Sequence, residues 1–422
     1  FDLPITTLCL PCACLVPPEP CATRASSTRP MQRPMQRPMR VLGGGGRGGQ
    51  ACTKGTMAKL ALFAFVGVVA GKGNEEEDHQ HKDPNLVLAA YVPEYRMDGL
   101  DWDWVMLHTT DIIAFSFEVS LGGSIVSHIR KEQMQMAHKK AQQYNRNLWI
   151  TIGGGGRCGG FFDATATKKS RTRLIQNIVR EFKSMDVQVA GIDFDWEGFG
   201  INDIKSYVRL LQTAKQMLKD SNMLVSVALH PWNDIGVEGY NAVDRVNVMS
   251  YDSITQQDTR HSTAKAASQH VKSFMQRGCT SEKIVLGVPA YGRNTKNPSM
   301  VLTYSDIRRK YRPKPKHDQR GGYYYNGPRT AAAKMKWAKE KGLAGAFVWE
   351  AGQDSADKYS LLRSMSRIGG IAPVHVQQGD AAAASSSEAA VGGDESGTKA
   401  VDDDSSDAEK ADDDDASFKE EL

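Results

Sequence analysis

Ala190-Gly191-Ile192-Asp193-Phe194-Asp195-Trp196-Glu197 alternates apolar and acidic side chains over its last six residues. Side chains two apart on a strand share a face, so Asp193, Asp195 and Glu197 fall on one side and Ile192, Phe194 and Trp196 on the other. Three acids in a row repel one another, by on the order of a kcal/mol or more per close pair. A fold tolerates them only where some are protonated or hydrogen-bonded, and such crowding raises the pKa of one of them. That is how a general acid is prepared.

On either side of this segment, from residue 84 to residue 370, β-branched apolar runs alternate with helical stretches, the pattern of βα units around a parallel sheet. Eight strands are expected, at Leu86 to Val92, Ile112 to Val119, Leu148 to Ile152, Val189 to Trp196, Leu224 to Leu229, Val246 to Tyr251, Ile284 to Pro289 and Ala344 to Trp349. Eight is the number that closes a (β/α)8 TIM barrel. Helices are expected between them, for example at Lys131 to Tyr144, Lys168 to Ser184, Ile204 to Lys219, Thr263 to Gln276 and Thr330 to Lys341. The connection Pro231 to Asp244 is short for a full helix. Barrel enzymes carry their chemistry at the C-terminal ends of the strands. Polar residues gather there in this chain, as Ser116-Phe117-Glu118, Thr151-Ile152-Gly153-Gly154, Asp195-Trp196-Glu197, His230, Met249-Ser250-Tyr251-Asp252, Tyr291-Gly292-Arg293 and Trp349-Glu350. Taken singly, Glu118 and Glu350 read as salt-bridged or rim groups and His230 as a satisfied structural histidine.

These residues together resemble glycoside hydrolase family 18, the chitinases and their relatives. The family signature Asp-Gly-x-Asp-x-Asp-x-Glu is matched from Ala190 to Glu197, with alanine in place of the first aspartate. Ser-x-Gly-Gly is matched by Thr151-Ile152-Gly153-Gly154, Met-x-Tyr-Asp by Met249 to Asp252, the strand-seven run by Leu286 to Gly292, and the strand-eight tryptophan by Trp349. The resemblance implies that Glu197 is the general acid in retaining hydrolysis of β-1,4-linked N-acetylglucosamine, with the substrate's acetamide oxygen as nucleophile. It further implies that Asp195 bonds either the acetamide N–H or Glu197, that Asp193 lies deeper and takes up the proton Asp195 gives away, and that Tyr251 reaches the acetamide oxygen. Asp252 contacts a neighbouring polar group, Trp349 floors the sugar, and Met249, Gly153 and Gly154 complete the substrate-binding set. Neither cofactor nor metal is implied. Gly198-Phe199-Gly200 stands where many members have Tyr-Pro, and Asn294 to Gly322, about thirty residues, is a small strand-seven insertion where larger members place a domain, so a shallower cleft is expected. The competing readings are a sugar-binding lectin on an inactive barrel and a calcium-buffering protein using the barrel as a scaffold.

The termini concern location. The chain has 422 residues, and its net charge of +4 hides a basic first third and an acidic end, so charge says little about partners. Neither nucleic acid nor a membrane anchor is expected as a partner. Residues 1–56 are low in complexity and hold five of the seven cysteines, Cys9, Cys12, Cys14, Cys21 and Cys52, without the second paired half that a zinc finger needs. They read as an extension that is untranslated or removed. Residues 57–72, a basic start followed by an apolar run and small residues, read as a signal peptide. Residues 376–422 are expected to form a disordered acidic tail with weak calcium binding, and the chain ends Lys419-Glu420-Glu421-Leu422, one conservative change from the lumenal retrieval signal. The endoplasmic reticulum lumen is the expected location, with secretion or a lysosomal destination as alternatives. Whether Cys158 and Cys279 pair is left open.

Overall fold

The computed structural model describes residues 86–371. The N-terminal extension, its five cysteines, the signal-like run and the acidic tail lie outside the described residues. Eight strands form the centre: β1 (Val87–Pro93), β2 (Asp111–Val119), β3 (Asn147–Gly153), β4 (Gly191–Asp195), β5 (Leu224–Leu229), β6 (Arg245–Val248), β7 (Ile284–Pro289) and β8 (Gly345–Trp349). Each pairs in parallel with its chain neighbours, and β1 pairs with both β2 and β8, which closes the (β/α)8 barrel.

A helix follows each strand: α1 (Trp102–His108), α2 (Lys131–Gln143), α3 (Lys168–Ser184), α4 (Ile204–Leu218), α5 (Gly236–Asn241), α6 (Ala264–Gln276), α7 (Pro328–Glu340) and α8 (Leu361–Gly369). Local chemistry sets their starts. The side chains of Thr167, Thr263 and Ser360 accept from the N–H groups of Ser170, Ala266 and Arg363, and Pro328 opens α7 without wasting a donor. The doubtful unit after β5 is α5, whose six residues are all that the short connection holds.

Strand alternation separates two cores. Leu88, Ala90 and Val92 of β1 and Ile192 and Phe194 of β4 face outward and pack with helix residues such as Ile175 and Leu210. Val87, Ala89 and Tyr91 of β1, Trp149 of β3 and Phe347 of β8 fill the barrel interior. β6 ends at Val248, earlier than the run to Tyr251 suggested. Beyond it the N–H groups of Ser250 and Tyr251 turn back to the carbonyls of Val248 and Met249, and Asp252 adopts the left-handed conformation (φ 58°), so the ladder cannot continue. After β7 the chain makes an excursion in which Val301–Thr303, Tyr291–Asn294, Tyr323–Tyr324 and Gln319–Arg320 form, in that order, a four-stranded antiparallel sheet beside the helix Tyr304–Tyr311. The expected strand-seven insertion, Asn294 to Gly322, supplies Val301–Thr303, that helix and Gln319–Arg320, and the strand Tyr291–Asn294 where it begins carries Arg293 to Asp252.

Candidate active site

The acidic strand sits on a hydrogen-bonded layer across the barrel. Thr151 of β3, Asp193 of β4 and Ser226 of β5 are register partners on adjacent strands. Asp193 is fully buried. Its Oδ1 accepts from Ser226 Oγ at 2.6 Å and Asn247 Nδ2 at 3.0 Å, and its Oδ2 from Tyr91 Oη at 2.9 Å and Thr151 Oγ1 at 3.3 Å. Asn247 Nδ2 also donates to Tyr91 Oη at 2.9 Å. Burial raises the pKa of Asp193, while the four donors pull the other way.

Asp195 lies one step nearer the mouth and has almost no such support. It is buried, and its Oδ1 has no hydrogen-bond partner. Burial first, then the charges of Glu197 and Asp193, hold its carboxyl well above the usual range. Glu197 follows just beyond the strand, with its side chain 34% exposed, the most open of the three. His230 Nε2 stands 3.7 Å from Glu197 Oε2.

The backbone that aims these acids is held from behind. Trp196 is buried against Phe161, ring centroids 5.0 Å apart and nearly parallel, and meets Tyr207 edge-on at 5.2 Å. The Glu197 N–H donates to Cys158 Sγ at 3.3 Å, and the thiol faces the Asp195 carbonyl at 3.2 Å. Burial pushes that thiol's pKa up to about 12. Cys158 and Cys279 are both free and buried, which answers the open question of their pairing. Gly154 donates its N–H to the Asp195 carbonyl at 2.7 Å. A side chain there is excluded twice over, by φ of +97° and by the Phe115 ring, 2.2 Å from where a Cβ would sit; at Gly153 a Cβ would meet the Asp195 carbonyl at 2.3 Å.

Around the acids stand the other residues expected from sequence. Tyr251 is buried edge-on to Tyr291 and Phe347, and burial followed by the surrounding carboxylates keeps its phenol protonated, a donor at neutral pH. Trp349 ends β8, tilted on Tyr91 at 5.4 Å and edge-on to Phe115 at 4.8 Å. Met249 packs into the same interior cluster. Asp252 takes a bidentate contact from Arg293, whose Nη2 lies 2.6 Å from Oδ2, and His261 Nδ1 lies 3.3 Å away. Burial works against ionisation, but the hydrogen bonds from Arg293 and His261 and the Arg293 charge outweigh it and hold the Asp252 carboxyl far below its ordinary range. Among the described residues no group of three His, Cys, Asp or Glu side chains could hold a metal.

The model of the glycosyl hydrolases family 18 matches residues 87–354, well over half the chain. The chain belongs to that family. It is 26% identical over 282 residues to chitinase 1 of Aphanocladium album, an alignment covering 53% of this chain and 65% of that protein, so less than two thirds of the relative's length is spanned. Its fold matches a chitinase from Bacteroides thetaiotaomicron (TM-score 0.60, 23% identity, 67% of this chain and 96% of the other). It also matches a chitinase-like agglutinin from Robinia pseudoacacia (TM-score 0.58, 20% identity, 67% and 99%).

In this family 18 barrel the sequence reading missed Tyr91, Ser226 and Asn247, which hold Asp193, and Arg293 as the partner of Asp252. Tyr91 carried a signal, being the one polar tip at an inward position of an apolar strand. His230 is not the satisfied histidine expected. Its Nδ1 is buried without a partner and its Nε2 faces the acid. Glu118 and Glu350 are salt-bridged as expected, to His128 at 2.9 Å and Arg96 at 3.0 Å, although Glu350 is fully buried and not at the rim. A cavity of about 320 Å³ between the β1 and β8 loops is lined by Tyr95, Arg96, Trp104 and Ser355 and by none of the three acids. Burial raises the carboxyl pKa of Asp193 and Asp195, which do not line that cavity.

Proposed function

We propose that the chain is a retaining glycoside hydrolase that cleaves β-1,4-linked N-acetylglucosamine in chitin, chito-oligosaccharides or the chitobiose core of N-glycans, using the substrate's own acetamide as nucleophile. The observation that carries this reading is the graded acid column, in which an open Glu197 stands over a buried Asp195 with an unpartnered oxygen, above a fully hydrogen-bonded Asp193. Glu197 is the only one of the three with access to a glycosidic oxygen, and its part is to protonate it. A two-carboxylate retaining mechanism needs a second, ionised and available carboxylate. Among the described residues beside Glu197 none qualifies. Asp195 is buried, and its ionisation is opposed by burial and its acidic neighbours; Asp193 lies sealed beneath it, and Asp252 is tied up by Arg293 and His261. The nucleophile then comes from the sugar. Asp195 receives the acetamide N–H, Tyr251 donates to the acetamide oxygen, and Trp349 floors the ring.

Hydrolysis of a fluorogenic chito-oligosaccharide series and of a high-mannose glycopeptide, with Glu197→Gln as control and proton NMR of the first-formed anomer, tests this. The β-anomer is expected first. No turnover above the control on any substrate removes the proposal, and binding without turnover points to a lectin.

A further inference from the structure

Trp232 is 62% exposed at the mouth of the barrel, three residues beyond the end of β5. What sets this indole apart from the other exposed apolar side chains, such as Leu121 and Ile201, is its place in a chain of contacts that ends at Glu197. One of its faces rests on the His230 imidazole, ring centroids 4.3 Å apart and 9° from parallel. That imidazole in turn presents Nε2 to Glu197 Oε2 at 3.7 Å. The chain here is not a loose tip. His230 N–H donates to Asn233 Oδ1 at 3.1 Å, Asn233 N–H returns to the His230 carbonyl at 2.9 Å, and Arg277 donates to the carbonyls of Asn233 at 2.7 Å and Pro231 at 3.1 Å. The indole is thus a fixed plane, backed by an imidazole, one ring away from the acid.

We infer that the His230–Trp232 stack is the platform for the leaving sugar, a binding subsite on the aglycone side of Glu197. This rests on the proposed function, in which Glu197 protonates the glycosidic oxygen and Trp349 floors the sugar whose bond is cut. In the closed order of eight strands, β8 with Trp349 stands opposite β4 with Glu197, and β5 adjoins β4. A chain lying on Trp349 and bonded through the oxygen at Glu197 therefore continues past the acid on the side away from Trp349. On the β3 side the acid meets Gly155, where even a Cβ would approach Glu197 Oε1 only at 3.8 Å, so backbone alone faces the leaving group there. The aromatic surface comes from β5. An N-acetylglucosamine ring with equatorial substituents offers a flat face of C–H bonds that matches the indole face turned away from His230. Binding energy from this second sugar orients the bond being broken, so it is expressed in turnover as well as in affinity.

The test compares the protein with Trp232→Ala and Trp232→Phe on two substrates with one glycone: chitotetraose, which must seat sugars beyond the bond, and chitobiosyl fluoride, whose leaving atom fills no sugar site. Trp232→Ala is expected to lose about fivefold or more in kcat/KM on chitotetraose beyond any loss on the fluoride, with Trp232→Phe recovering part of it. Equal losses on both substrates overturn the inference, and a dead Glu197→Gln beside them leaves the functional reading standing. If the unmodified protein hydrolyses neither substrate, the functional reading falls, and calorimetric titration of chitopentaose into Glu197→Gln and Glu197→Gln/Trp232→Ala decides the subsite. Weaker binding by about fivefold in the double variant supports it, whereas equal binding or none in either protein overturns it.

Discussion

Replacing Tyr91 with phenylalanine removes one oxygen from the most buried part of the site and leaves the ring where it packs, 5.2 Å from Phe347 and 5.4 Å from Trp349. That oxygen donates to Asp193 Oδ2 at 2.9 Å and accepts from Asn247 Nδ2, which keeps its second acceptor, Asp193 Oδ1. The net loss is therefore one hydrogen bond to a buried carboxylate, about 1.5–3 kcal/mol where the acceptor is charged and about 0.5–1.5 kcal/mol where it is neutral. For a barrel of this size that is a fall in melting temperature of roughly 3–12 °C where the carboxyl is ionised and less where it is protonated. The pH dependence follows from the direction of the Asp193 shift. Its folded pKa is raised, so stability attached to its protonated form is full below the ordinary aspartate value of about 4 and is lost as pH climbs through the folded value. Removing a donor raises that folded value further. The deficit of Tyr91→Phe must therefore be smallest at acidic pH and must widen as pH climbs through the folded value of Asp193. Calorimetry or denaturant melts at a series of pH values from 4 to 8 measure it. A deficit that is flat with pH, or below about 0.5 kcal/mol throughout, refutes the assignment of Asp193 as a carboxylate held by donors.

Three further outcomes are expected. Glu197→Gln keeps size and loses the transferable proton, so kcat on chito-oligosaccharides should fall about 10²–10⁴-fold. Thermal stability should hold or rise in that variant, because the charge pressing on Asp195 is gone, and a loss in kcat below tenfold contradicts the acid role. Arg293→Met strands Asp252, and because that carboxylate keeps some water access the cost should be about 1–3 kcal/mol, below the full price of a sealed ion pair, with a matching loss of kcat/KM. A variant as stable as the parent shows that the pair is not what fixes Asp252. Gly154→Ala forces a Cβ into the Phe115 ring at a left-handed backbone position, which should cost about 2–4 kcal/mol and, by shifting Phe115 against Trp349, raise KM. An unchanged melting curve rules that constraint out.

The parity of Asp193, Asp195 and Glu197 was legible because it depends only on the two-residue repeat of a strand, and the barrel because eight such repeats recur with helices between them. What holds Asp193 was not legible, for a reason belonging to closed barrels. Tyr91, Thr151, Ser226 and Asn247 lie on β1, β3, β5 and β6, and their meeting depends on the stagger of strands around the ring, which no single strand records. Each looks ordinary in its own segment, a tyrosine in Val87 to Pro93 or a serine in Leu224 to Leu229. His230 was misjudged for the opposite reason. A lone histidine at a strand end is most often structural, and only its 3.7 Å approach to Glu197 and its stack on an exposed Trp232 give it another meaning. Parity within one strand therefore finds the acid column, while the groups that hold Asp193 come from other strands at the same height. In such a barrel the polar side chains at inward positions of every strand, taken together, hold the information that no one strand carries.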